Sequence, residues 1–161
     1  MTAQVHEKLT FNGSHMSMCS EPLEQYFETL WCHPRFEMRS TNLWRGYIGT
    51  WEIVGIHLYL IELEGMLSDG TSVSISTFIP NSKNEILASW FTGQLRIPQG
   101  KVLHYVHMGY ASRHEQDLII HIENGVVTKS IVRNNRFTVG IVFKFFWRLL
   151  CGEFKSKSGV K

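Results

Sequence analysis

The sequence predicts an α+β domain in which two short helices lie on a largely antiparallel sheet. Three observations carry that reading. Two β-rich runs flank Val54-Gly55, the pair Asn124-Gly125 sits between alternating apolar strands, and only one segment has clear helical periodicity. The 161 residues suit one domain, with a body over 1–136 and an apolar then basic segment over 137–161 that belongs to the same domain. A composition of 43% hydrophobic and 19% charged residues is that of an ordinary folded protein.

In order along the chain, "CSEPLEQYFETLW" offers Ser20 as N-cap and Pro22 in the first turn. Leu23, Tyr26, Phe27, Leu30 and Trp31 follow at helical spacing. "RGYIGTWEIVGIHLYLIELEG" reads as a hairpin. "GTSVSISTFIP" alternates through Val73, Ile75 and Thr77 until Pro80 stops it, which predicts a strand. "SKNEILASWFTG" has a capping-box pattern, Ser82 to Glu85, and ends at Gly93, which predicts a second helix carrying Ile86, Leu87, Trp90 and Phe91. From Leu95 onward the pattern is strand, loop at 111–116, strand, a type I′ turn at Asn124-Gly125, and a last strand through Val132.

The N-terminus has no unbroken apolar run of signal-peptide length, so a cytoplasmic protein is expected. Cys19, Cys32 and Cys151 are too scattered for a disulfide framework or a CxxC metal site. No cofactor or metal is expected. The catalytic templates GxSxG, GxGxxG, HExxH and the P-loop are absent from the sequence.

Histidines cluster in "KVLHYVHMGYASRHEQDLIIHIENG". Read as a strand, "KVLHYVHMGY" puts Leu103, Tyr105, His107 and Gly109 on one face and His104, Val106, Met108 and Tyr110 on the other, so His104 and His107 diverge and cannot chelate one ion. In "DLIIHIE", Asp117, Ile119, His121 and Glu123 share a face opposite Leu118, Ile120 and Ile122, which predicts a solvated sheet face. A site built from His107, His114 or His121 across the sheet is the enzyme alternative, a small metal-independent hydrolase of the ribonuclease type.

Charge is unevenly divided. Residues 1–128 hold eight Lys/Arg against thirteen Asp/Glu, a balance of −5; residues 129–161 hold eight Lys/Arg against Glu153 alone, +7. An acidic body favours a basic protein partner over nucleic acid, whose phosphates need Lys and Arg. The expected contact set is Trp44, Arg45, Tyr47, Trp51 and Arg96 as anchors, with Glu62, Glu64, Glu115, Asp117 and Glu123 supplying charge. Arg45, Tyr47, Gly49 and Trp51 share a strand face, which lets Arg45 lie over an aromatic ring. The stretch from Phe137 to Cys151 is too short and too charged to span a membrane; its Lys144 and Arg148 make contact with a membrane surface or nucleic acid through the tail a further alternative.

The phrases "SMCSEPLEQYF", "LWRGYIGTWEI", "LYLIELEG", "WFTGQLRIPQGKVLHYVHMGY" and "DLIIHIENG" resemble the signature segments of a group of small bacterial proteins of unassigned function, over residues 17 to 127. The resemblance implies no catalytic or cofactor residues. By analogy of class, such domains often act as antitoxin or immunity proteins that cover a toxin's active site. The reading reached from the sequence is therefore a non-enzymatic protein-binding module, in its sharpest form an inhibitor of a basic toxin.

Overall fold

A computed structural model of the chain describes residues 2–80 and 85–136. Ser82, half of the expected capping box, the apolar-basic segment 137–161 and Cys151 lie outside these residues.

The chain opens with a hairpin of β1 (Glu7–Phe11) and β2 (Ser14–Met18), turned at Asn12-Gly13. Both turn residues take positive φ, 50° and 71°, as a type I′ turn requires. A one-turn helix α1 (Leu23–Phe27) follows, and the chain returns to lay β3 (Tyr47–Val54) parallel to β1. β3 alternates strictly: Tyr47, Gly49, Trp51 and Ile53 face inward and Ile48, Thr50 and Glu52 outward. Gly55 turns β3 into β4 (His57–Met66), and a bulge near Thr50 and Trp51 resets the register so that Leu58, Leu60 and Leu63 all point into the core.

An excursion of β5 (Ser72–Val73), α2 (Ile75–Phe78) and β6 (Ile86–Leu87) runs beside β4. Three long strands, β7 (Gly93–His104), β8 (Arg113–Glu123) and β9 (Val126–Asn134), complete the path β2-β1-β3-β4-β9-β8-β7. The two end strands of this path meet. The Cys19 N–H donates to the Arg96 carbonyl at 2.8 Å, and the Ser20 hydroxyl, 3.1 Å from the Gln94 carbonyl, accepts the Arg96 N–H at 2.9 Å. The sheet thus curls into a barrel-like body, which protects two edges that would otherwise be open to pairing. Leu9, Met18, Trp51, Leu60, Leu95, Ile97, Ile120 and Ile122 fill it. Leu23 and Phe27 of α1 pack into the same core, where Phe27 meets Phe36, Tyr47 and Phe78 at ring centroid distances of 5.2–5.5 Å.

Several expectations need correction. Strands account for 52% of the structure and helices for 7%, so the body is dominated by sheet more than an α+β domain suggests. The sheet is antiparallel except where β1 pairs parallel with β3. Residues expected in the second helix instead pair with β4: Ile86 and Leu87 lie opposite Leu60 and Tyr59, and the Ala88 N–H donates to the Leu58 carbonyl at 2.9 Å. Sheet hydrogen bonds there outweigh a weak helical period, and tertiary context overrides propensity. The strand expected over 72–79 stops at Val73, because Ser74 and Thr77 form a capping box that starts α2. The first helix ends at Phe27, where bonds from Thr29 to Tyr26 and from Leu30 to Phe27 tighten the turn, leaving Trp31 fully exposed. Pro22, not Ser20, is its N-cap residue. No described helix is long and apolar enough to cross a membrane.

The Asn124-Gly125 turn is present, with φ of 49° and 78°. A Cβ at Gly125 would lie 2.8 Å from the Ala88 carbonyl oxygen, whereas Gly55, at φ 61°, faces open space. Gly55→Ala is expected to cost about 1–2 kcal/mol from backbone strain alone, and Gly125→Ala measurably more because backbone must also move. Urea unfolding of the two variants checks this; equal losses would show that the Ala88 contact is not tight in solution.

Candidate functional site

β1 enters the body with its side chains divided between two environments. Glu7 points inward and is fully buried, and His6 points to the opposite side. Burying a carboxylate is costly unless donors surround it. Here the Arg45 Nε–H donates to Oε1 at 2.9 Å, and the Gly49 N–H and the Trp51 indole N–H donate to Oε2 at 3.0 and 2.7 Å. Gly49 is required at its position, since a Cβ would collide with the Glu7 carboxylate and the Trp51 indole.

Arg45 is itself buried, its side chain 5% exposed. It lies 5.5 Å from the Tyr47 ring centroid and donates from Nη1 to the Val5 carbonyl at 2.8 Å and to the Tyr110 hydroxyl at 2.7 Å. The Tyr110 hydroxyl lies 2.8 Å from Glu21 Oε1, and the Tyr47 hydroxyl donates to Glu24 Oε1 at 2.7 Å. One polar network therefore ties β1, β3, the start of α1 and the segment after β7. Burial pushes the Glu7 carboxyl up to about 7, against the pull of Arg45, Trp51 and Gly49. Burial, with neighbouring carboxylates, also raises the Tyr47 and Tyr110 hydroxyls.

On the other side of this network, at the seam where β2 meets β7, lies a cavity of about 250 Å³. Its walls come from the N-terminal arm, the end of β2, the outer faces of β7 and β8, and residues 105–112. That last segment was expected to continue a strand. The strand stops at His104, after Gly100 takes φ 75° and the register slips twice, and the chain then folds back over the sheet. The Ser112 hydroxyl accepts the Val106 N–H at 3.1 Å, and the Gly109 backbone exchanges hydrogen bonds with Thr2 and Gln4.

His6, Cys19, Arg96, Tyr105, Tyr110 and His114 supply the chemistry of the cavity. His6 Nε2 is 3.5 Å from Cys19 Sγ, and its ring meets the Tyr110 ring at a tilt of 46° with centroids 5.5 Å apart. Arg96 Nη2 donates to the Tyr110 carbonyl at 2.7 Å and reaches Cys19 Sγ at 3.7 Å. Its Nε is 3.8 Å from Asp117 Oδ1, too far for a hydrogen bond, and is buried without one. His114 Nδ1 is likewise buried without a hydrogen-bond partner. Burial lowers the His6 pKa, and its electrostatic interactions with His114, Arg96 and Arg45 lower it further; burial raises the Cys19 thiol. Arg96 brings a positive charge to the site, and burial favours the neutral His6 imidazole and the protonated Cys19 thiol, which suits binding an anion better than nucleophilic attack by sulfur.

The sequence-derived residues are dispersed. His114 lines the cavity, His107 sits on the covering segment bonded to the Tyr105 hydroxyl at 3.0 Å, and His121 borders a separate depression with Gln94 and Lys129. These histidines do not form one acid-base group. Tyr47 and Trp51 are wholly inside the body and Arg45 nearly so; they cannot anchor a surface contact as expected, because Glu7 draws Arg45 and Trp51 inward. Asp117 was expected on a solvated face but is 4% exposed. Burial alone would raise its carboxyl, but hydrogen bonds from Arg133 and Asn135 and the charge of Arg96 hold it low. Glu115 bonds Arg136, while Trp44, Glu62, Glu64 and Glu123 are exposed. Sequence reasoning missed Glu7, His6 and Cys19 as site residues. The signal that could have found them was the Asn12-Gly13 turn, which implies a strand before it.

Because Glu7 titrates near 7 in the fold and near 4.5 unfolded, the folded chain holds more protons than the unfolded chain between those values. Its contribution to stability is therefore fully present below pH 4.5 and falls as pH rises to about 7, by about 3 kcal/mol. Glu7→Gln is expected to be less stable overall and to lack this decline. Urea unfolding at pH 5 and pH 7.5 measures it; parallel pH dependences for the two proteins would show that Glu7 titrates normally.

Comparison with known proteins yields no matching family model, curated protein or solved structure.

Proposed function

We propose that the chain is a binding protein that holds a small carboxylate in the cavity walled by His6, Arg96, Tyr110 and His114. The observation that carries this reading is the state of Arg96. Arg133 at 2.8 Å and Asn135 at 2.7 Å both donate to Asp117 Oδ2, whereas the Arg96 Nε faces Oδ1 only as a long ion pair at 3.8 Å and makes no hydrogen bond, so the guanidinium beside the cavity is loosely held. A carboxylate offers the acceptor that Arg96 lacks, and an arginine–carboxylate hydrogen bond is among the stronger polar contacts available.

Size limits the ligand. A cavity of about 250 Å³ is below the roughly 300–1,000 Å³ of pockets for drug-sized molecules, so a short-chain acid fits better than a nucleotide or a fatty acid. Perturbed groups support the same location: His6, Cys19 and Tyr110 all line the cavity, and Glu7 lies behind it. Ordered hydroxyls and the imidazoles then select among acids by shape and hydrogen bonding.

Thermal unfolding with a panel of short carboxylates tests the reading. A ligand at one hundred times its Kd adds about 2.7 kcal/mol to stability, so at least one acid should raise Tm by several degrees while its uncharged amide does not. Arg96→Gln should remove the response. An amide as effective as its acid, an unchanged response in Arg96→Gln, or no response to any acid would contradict the proposal.

A further inference from the structure

A second feature lies on the outer face of β3 and β4, away from the cavity. A groove of about 810 Å³ runs there between residues 39–46 and 73–76. Half-buried Leu43, Ile48 and Ile61 form its apolar part, Arg39, Ser74 and Ser76 also line it, and Glu62 and Glu64 stand exposed along it. Outward residues of a strand normally meet water, and here Ile48 and Ile61 are instead half-covered, with the two carboxylates beside them.

The charges of this border are only weakly engaged. Glu64 makes an ion pair with Lys8 at 3.5 Å in which both side chains are 54% exposed, and Glu62 lies 3.5 Å from the Thr50 hydroxyl. Exposed pairs of this kind contribute little and exchange readily for another cation. Arg39, the basic residue on the border, makes an equally exposed pair with Glu37 at 3.6 Å, outside the two carboxylates. Other acids of the body are spoken for: Glu7 by Arg45, Asp117 by Arg133, Glu115 by Arg136. Of the five acids expected to meet a basic partner, Asp117 and Glu115 are paired within the molecule, Glu123 is exposed at the β8–β9 turn, and Glu62 and Glu64 are exposed together beside a partly apolar surface.

We infer that this groove docks an extended basic segment of a protein partner, with Lys or Arg side chains on Glu62 and Glu64 and an aliphatic side chain between them on Ile48 and Ile61. An extended chain alternates its side chains, which matches a border of charge beside apolar side chains. The inference is independent of the carboxylate cavity, because the two sites share no residue.

The test is a titration of the isotope-labelled full chain with a short peptide of alternating lysine and leucine, followed by NMR. Signals of Ile48, Ile61, Glu62 and Glu64 should shift together, and Glu62→Lys with Glu64→Lys should weaken binding about tenfold or more, equivalent to about 1.4 kcal/mol. Both positions are exposed, and circular dichroism checks that the double variant folds. Glu123→Lys, an exposed acid at the β8–β9 turn, should leave affinity unchanged, and a peptide of alternating glutamate and leucine should not bind. Equal weakening by Glu123→Lys would mean general charge attraction and overturn the inference. So would peptide shifts outside the groove, or groove signals that instead move with protein concentration, which would assign the surface to a second copy of the chain.

Discussion

The carboxylate of Glu7, buried among Arg45, Trp51 and Gly49, is the constraint on which this end of the molecule depends. A buried carboxylate without partners would cost several kcal/mol, and one with three donors fixes the position of everything that donates to it. Arg45 reaches it across 38 residues of sequence and Trp51 across 44. Those separations mean that β1, β3 and the connection before β3 must all be in place before the group is satisfied. Replacing such a cluster by apolar residues of equal volume often does not lower stability, so its value here is better understood as specificity of register: β1 can pair parallel with β3 in one way that brings Glu7 onto the Gly49 N–H.

From that node the arrangement spreads outward to the cavity. Arg45 donates from Nη1 to both the Val5 carbonyl and the Tyr110 hydroxyl, and so holds both the N-terminal arm and the segment 105–112. These are two walls of the cavity. Arg96, a third wall, is fixed by the Tyr110 carbonyl and by the seam between β2 and β7. Tyr110 links the cavity wall to the buried network, since its ring faces His6 and its hydroxyl faces Arg45 and Glu21.

Local features of the sequence were legible and distant pairings were not. The hairpin around Gly55, the Asn124-Gly125 turn and the shared face of Arg45, Tyr47, Gly49 and Trp51 follow from period-two alternation and turn chemistry, and all are present in the structure. The destination of that face was misjudged, because nothing near Arg45 in sequence announces that a glutamate 38 positions earlier will bury it. Asp117 misled for the same reason: a polar residue in clean alternation reads as solvated, yet Arg133 on the neighbouring strand covers it. The stretch 86–91 has apolar residues at helical spacing, but its backbone groups find partners in β4 and Gly125 first.

Hydrogen exchange at the Trp51 indole N–H measures the central dependence most directly. If the Glu7 cluster holds the body together, this proton and the Gly49 amide should exchange only through global unfolding, with an opening free energy equal to that from urea unfolding and the same dependence on denaturant. Exchange through a local opening several kcal/mol below the global value, while the amides of β8 stay protected, would show that the cluster is a peripheral feature and contradict the account.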